Sequence, residues 1–350
     1  MKIKSGKGRI AVALSGGVDS AVAALLLSRQ GWEVVGVHLR LGEAAPPCGR
    51  LEALGRALGI PVLTLEAREA FARLVLDYFA AAYARGETPN PCVRCNEAVK
   101  FGVLWDFVRS QGLEFLATGH YLRRERLPDG EIAVYRGRDR GKDQAYFLQR
   151  LPRSLLPHLR FPLGNLTKAE VRRSFADPTL PSLSPCPESQ DLCFVREGRY
   201  TDFLRTRRRL GVPGDFVDRR GRVLGRHRGV DCYTVGQRRG LGLPAREPYY
   251  VLEILPAANQ VVVGSREELL APGLWARQAV WLAAPPTGEW TATAVIRYRH
   301  PGVAATVIPA GADRLLVRFA IPQGAVTPGQ AVAFFDGDRL LGGAWIEGRL

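Results

Sequence analysis

The sequence predicts an α/β doubly wound parallel sheet at its start, followed by a small β-rich central domain and a C-terminal β-barrel. Three observations carry that expectation. Short apolar runs alternate with helical stretches through the first half of the chain, the pattern of a parallel sheet covered on both faces. After about residue 195 the helical period gives way to short β-like runs broken by glycine turns. From about residue 272 the text is almost wholly strand-like and punctuated by Pro and Gly, as in a barrel. These shifts set boundaries of 1–195, 196–270 and 271–350, and 350 residues suffice for that many cores.

Element by element, "RIAVALS" reads as a buried strand, "DSAVAALLLSRQG" as a helix closed by Gly31, and "WEVVGVHL" as the next strand. A helix over 50–58 ends at Gly59, before the strand "PVLTLEA". A long helix over about 68–86 follows, then one over about 96–110 with Asn96 as its N-cap, and then the strand "LEFLATGHY". The central part offers the strands "RVLGRH", "YYVLEIL" and "QVVVGS" and one helix at "RYTDFLRTRRRLG". The last part offers "TATAVIRYRH", "AATVIP", "RLLVRFA" and "AVAFFDGDRLLGGAWI".

Charge narrows the partners. The formal net charge is +15, the isoelectric point is near 10.0, and 43 of the 49 basic residues are arginine. Arginine forks onto phosphates and stacks on bases, so this balance points to a nucleic acid. No window approaches the roughly 18 consecutive apolar residues of a membrane span. The basic start "MKIKSGKGRIAVALSGG" has too short an apolar run for a signal peptide, so a cytoplasmic protein with no membrane partner is expected. Six cysteines (Cys48, Cys92, Cys95, Cys186, Cys193 and Cys232) are few for a disulfide framework in a chain of this size.

The stretch "SGGVDS" at 15–20 lies between the first strand and the first helix. A Gly-Gly turn there directs backbone N–H groups at a helix N-terminus toward one spot, which makes an anion site. A Walker loop would carry lysine just before the final Ser or Thr, and this loop has none. That suits a loop that holds pyrophosphate as a leaving group, with Asp19 helping to hold Mg²⁺ on the phosphates. "SGGVDS" resembles the PP-loop of the ATP pyrophosphatases, adenine nucleotide α-hydrolase-like proteins that split ATP between the α and β phosphates and adenylate a carbonyl oxygen.

The loop "TPNPCVRCNEAVKFG" carries Cys92 and Cys95 beside Arg94 at the start of a helix, a setting that favours thiolate. Cys193 sits in "PCPESQDLCFV". With these on the page, the sequence resembles the bacterial tRNA-specific 2-thiouridylases, which replace O2 of the wobble uridine by sulfur. The blocks "ALSGGVDS", "TPNPCVRCNEAVKFG", "ATGHY", "GKDQAYFL", "SQDLCF", "YTVGQRRGLG", "IRYRHPG" and "AVAFFDGDRLLGG" occur in that family's order nearly end to end.

The resemblance implies an ATP- and Mg²⁺-dependent tRNA-uridine 2-sulfurtransferase. It implies that Ala13, Leu14, Ser15, Gly16, Gly17, Val18, Asp19 and Ser20 line the ATP phosphates, with Leu39 and Gly119 bordering the adenine. Asn90, Pro91 and Cys92 would face the target base. Cys193 would carry a persulfide, and Cys95 would attack it or close a disulfide with it. His120, Lys142, Asp143, Gln144, Arg297, Tyr298 and Gln330 would touch tRNA, the family expectation being the Lys, Glu and Gln isoacceptors. Sulfur would come from a donor protein or from sulfide. Many members have Asp where this chain has Cys92, so a role for that position as acid or base does not carry over. The change places C-x-x-C before Cys193, three thiolates suited to a [4Fe–4S] cluster with one open iron. A persulfide relay needs Cys95 and Cys193 alone, and both routes stay open at the level of sequence. Another PP-loop synthetase, of the amidating or argininosuccinate type, would share the loop but has no use for these cysteines. A non-catalytic ATP-bound RNA-binding module would release neither AMP nor pyrophosphate.

Overall fold

A computed structural model describes residues 7–42, 49–176, 180, 192–195, 200–207, 211–244 and 246–350. The chain gathers into two compact units, the first of Met1–Leu74, Arg94–Phe194 and Asp338–Leu340, the second of Val75–Val93, Val195–Gly337 and Leu341–Leu350.

In the first unit the apolar runs become strands β1 (Arg9–Ala13), β2 (Glu33–Arg40), β3 (Val62–Glu66) and β4 (Leu116–Ala117). A hairpin of β5 (Leu122–Arg126) and β6 (Ile132–Arg136) and the short β7 (Leu159–Arg160) follow. The sheet runs β3-β2-β1-β4-β7 and every pairing in it is parallel. Such strands must be buried on both faces, and Ile10, Ala11 and Val12 of β1 are fully buried. The helix Val18–Arg29 is buried on most sides, from Ser20 to Leu25 and again at Leu27, which explains why "AVAALLL" carries little amphipathic signal. Its sequence-expected close is present, with Gly31 at φ +88°. Gly59 likewise caps the helix Arg50–Leu58 in the left-handed conformation. Chain order reverses between β1 and β4, so the crevice at their carboxyl ends is where an open α/β sheet takes a ligand.

Two helices differ from expectation. The stretch over Arg68–Ala84 widens to a π turn at Ala72–Leu76. The cysteine helix starts at Pro91 rather than after Asn96, passes through a π turn over Asn96–Val103, and ends at Ser110. The reason is local. Asn90 Oδ1 accepts from Val93 N at 3.1 Å, and Pro91 occupies the first helical position, where its missing N–H costs nothing. Asn90, not Asn96, is the cap.

In the second unit, β8 (Gly214–Val217), β9 (Val223–His227), β10 (Tyr250–Leu255) and β11 (Gln260–Gly264) form a sheet of order β10-β11-β8-β9, antiparallel except where β8 lies beside β11. The expected helix appears as Tyr200–Arg207. Six strands then close on themselves: β12 (Leu270–Trp281), β13 (Trp290–Val295), β14 (Val303–Pro309), β15 (Arg314–Gly324), β16 (Ala331–Asp336) and β17 (Arg339–Arg349). Their order is β12-β15-β14-β13-β16-β17, with β12 pairing back onto β17. Closure removes the open edges an antiparallel sheet would otherwise expose. Alternate residues fill the barrel, among them Leu274, Ala276, Val307, Val317, Val332 and Phe334. "TATAVIRYRH" is strand only as far as Val295, because Arg299 at φ +62° turns the chain and His300 N bonds back to Arg297 O at 3.1 Å. Among the described residues no helix is long and apolar enough to cross a membrane.

Candidate active site

The carboxyl end of β1 runs into Ser15, Gly16 and Gly17, and Gly17 is the N-cap of the helix Val18–Arg29. Gly16 has φ +78°, a conformation that favours glycine. The serines lace the turn together. Ser20 Oγ donates to Gly17 O at 2.9 Å and accepts from Ser15 N at 3.2 Å, while Gly17 N reaches Ser15 Oγ at 3.3 Å. Gly119, just past β4, closes the opposite wall: a Cβ there would lie 3.0 Å from the Asp19 carbonyl carbon and 3.1 Å from Ser20 N. Leu39, half-buried on β2, borders the same sheet end.

Three residues at this loop were not singled out by the sequence reading. Lys168 Nζ lies 2.8 Å from both carboxylate oxygens of Asp19, and Tyr121 donates its hydroxyl to Asp19 Oδ1 at 2.7 Å. Arg50 Nε donates to Gly16 O at 2.6 Å. Lys168 is the first residue of the helix Lys168–Phe175, whose start is fixed by a Thr167/Glu170 capping box. Thr-x-x-Glu could have revealed that helix start, but a contact between residues 149 apart has no local signal. Helix-start amides, two cations and a hard carboxylate form a donor set of the kind that fits a Mg²⁺-bound triphosphate.

Beyond Gly119, His120 is buried, its Nδ1 within 2.8 Å of Thr118 Oγ1. Burial pushes its pKa well below the usual imidazole range and nearby Lys100 pushes the same way, so the ring is neutral at physiological pH. Cys193 belongs to the same unit and reaches solvent, yet the atoms crowded round it raise its pKa, with Lys100 opposing. Phe194 meets Phe71 edge-on at 6.3 Å. Cys95 is buried, and next to it Glu97 is held by Arg94 at 3.2 Å and Arg150 at 2.9 Å.

In the second unit, Asn90 is buried as the helix cap, and Cys92 is exposed in the first turn after Pro91. Among the described residues no three His, Cys, Asp or Glu side chains converge into a set that could hold a metal ion. Cys48 and Cys186 lie outside the described residues, and Cys232 is half-buried in the second unit.

The tripeptide at 142–144 is largely engaged with the protein. Asp143 accepts from Arg136 Nη1 at 3.1 Å, Gly137 N at 2.9 Å and Ala145 N at 3.2 Å, and Gln144 Oε1 accepts from Tyr121 N at 3.0 Å. Lys142 beside them is half-buried. Arg297 and Tyr298 occupy the turn after β13, where Tyr298 is 38% exposed and Arg299 lies over its ring at 5.4 Å. Arg297 Nη1 donates to Gly324 O at 3.2 Å. Gln330 sits in the turn before β16 and points its amide at Thr88 O, 2.9 Å away.

Comparison with known proteins agrees with this geometry. Residues 8–197 match the family model described as the tRNA methyl transferase HUP domain, 201–265 its PRC-barrel domain, and 272–346 the aminomethyltransferase β-barrel domain. The tRNA-specific 2-thiouridylase MnmA of Geobacter metallireducens is 46% identical over 97% of this chain and 96% of its own length. Those of Carboxydothermus hydrogenoformans (45%, over 99% of each chain) and Moorella thermoacetica (46%, over 96% of this chain and 98% of the relative) are equally similar. On identity and coverage of this order, the chain belongs to the tRNA-specific 2-thiouridylase family.

Proposed function

We propose that this protein thiolates C2 of the wobble uridine of tRNA in an ATP-dependent reaction, acting in the cytoplasm on the Lys, Glu and Gln isoacceptors. The observation that carries the reading is the phosphate loop between β1 and Val18–Arg29, closed by Gly119 in the unit that also holds Cys193. Near-full-length identity of about 45% to proteins named for this activity supports it. Residues 1–195 would be the catalytic domain, 196–270 a central domain, and 271–350 a barrel that meets tRNA through Arg297 and Tyr298.

The loop amides of Ala13 to Ser20 hold the phosphates, and Arg50 and Lys168 offset their charge. Uracil O2 attacks the α phosphorus, and the bond to the bridging oxygen breaks with its electron pair leaving on pyrophosphate. The uracil N3 proton passes to solvent. Adenylation turns a poor leaving group into AMP, so a sulfur nucleophile can attack C2. In the relay, the terminal sulfur of a persulfide on Cys193 forms the C2–S bond as AMP departs. Cys95 thiolate then attacks the Cys193 sulfur, the S–S bond breaks toward the tRNA thiocarbonyl, and an external dithiol reduces the Cys95–Cys193 disulfide. Asn90, Pro91 and Cys92 face the base. A neutral His120 suits contact with a base edge rather than a phosphate. The relay is preferred because Cys95 and Cys193 belong to one unit and two thiols suffice to receive and release one sulfur atom.

The test measures AMP and pyrophosphate after incubation with Mg-ATP and tRNA. Both products, dependent on tRNA, are expected. Nucleotide and RNA binding with neither product would overturn the reading in favour of a non-catalytic module.

A further inference from the structure

The segment leading into the Cys92 helix is gripped by a turn of the barrel, and both belong to the second unit. Gln330 Nε2 donates to Thr88 O at 2.9 Å and, at the longer distance of 3.4 Å, to Pro89 O. Thr88 N donates the other way, to Pro328 O at 2.8 Å. Gly329 between them has φ +86°, and a Cβ there would lie 2.9 Å from Glu87 Cβ and 3.1 Å from Thr88 N. The two backbones thus approach as closely as glycine permits. Arg277 on β12 adds an ion pair to Glu87 at 3.5 Å.

The turn is itself anchored. Gly329 N bonds Ile346 O at 2.9 Å, and Ile346 N bonds Gln330 O at 2.7 Å, which ties it to β17. On the gripped side, Pro89 and Pro91 flank Asn90, so fixed φ angles carry the position of Thr88 into the helix cap. Asn90 then fixes Val93, and Cys92 stands between them in the first turn.

We propose that Gln330 is a positioning residue, with the barrel turn Thr327–Gln330 setting the first turn of the cysteine helix and therefore the placement of Asn90, Pro91 and Cys92. The side chain implied by resemblance to touch tRNA does its principal work inside the protein. This rests on the proposed function only for its effect on thiolation, because its structural consequence is present without RNA.

The experiment is amide hydrogen exchange on full-length, RNA-free protein, comparing wild type with Gln330→Glu, which keeps size but loses the donor, and with Gln330→Ala. Exchange in the peptide spanning 88–96 is expected to become roughly tenfold faster, the effect of one hydrogen bond lost from a local opening equilibrium. Peptides from β1 and β14 should be unchanged, which separates local loosening from unfolding. In thiolation assays kcat should fall while KM for tRNA stays within about twofold. Unchanged exchange over 88–96, whether or not tRNA binding weakens, overturns the proposal and leaves Gln330 as an RNA contact. If wild type shows no thiolation, the proposed function fails, and the exchange result still decides this one.

Discussion

Asp19 and Lys168 join the phosphate loop to the start of the helix Lys168–Phe175. Both charges are shielded, the lysine side chain at 10% exposure and the aspartate at 35%, so breaking the pair strands a partly desolvated carboxylate. Lys168→Met is expected to cost about 1–3 kcal/mol of stability, less than for a fully buried pair. It should also weaken ATP binding with no change in tRNA affinity, as calorimetry with each ligand would show; equal ATP affinity would remove Lys168 from the phosphate site. His120 gives a pH signature. Its folded pKa lies below the unfolded value near 6.5, so its contribution to stability is intact above that pH and drains as pH falls through the folded value. Melting temperature should drop on acidification from about pH 7 to 5, and His120→Gln should flatten part of that slope. A slope unchanged by the substitution would contradict a buried neutral imidazole. Cys193, with its pKa raised by crowding, should be alkylated slowly at neutral pH and faster on alkaline titration. At this scale the sequence revealed the loop residues, whose chemistry is contiguous. It could not reveal Lys168 or Tyr121, which reach Asp19 only through the fold.

Among the elements, strands and helices of the first unit were legible because parallel strands and their covering helices carry long apolar runs. The cysteine helix was misplaced by one turn and more because both Asn90 and Asn96 suit a cap; Pro91 after Asn90 was the deciding signal. Asn90→Ala should cost about 1 kcal/mol by loss of that cap, measured by denaturant unfolding. Periodicity also ran past Val295 into "IRYRH", where a residue at positive φ ended the strand and turned Tyr298 outward. That turn sets a ring and a cation together at the surface, the pairing an unstacked base would use. Arg297→Ala with Tyr298→Ala should lower tRNA affinity roughly tenfold and leave ATP affinity unchanged. Loss of both affinities would show that the turn matters to the whole fold.

For the molecule as a whole, a charge of +15 carried almost entirely by arginine requires that tRNA affinity fall steeply as salt rises, since bound phosphates release counterions. A parallel sheet and a C-terminal barrel were legible in the sequence; the barrel's six-strand closure and the two-unit grouping, in which residues 75–93 join the second unit, were not. That grouping depends on contacts such as Gln330 with Thr88, distant in sequence and made by backbone carbonyls that any residue could present. In the proposed reaction Cys193 delivers sulfur to one uridine after activation by ATP. Its most direct measurement is mass spectrometry of wobble nucleosides from tRNA incubated with Mg-ATP, a sulfur source and either wild-type, Cys193→Ala or Cys92→Ala protein. 2-Thiouridine is expected with wild type and with Cys92→Ala and none with Cys193→Ala; 2-thiouridine formed at the wild-type rate by Cys193→Ala would rule out delivery by Cys193.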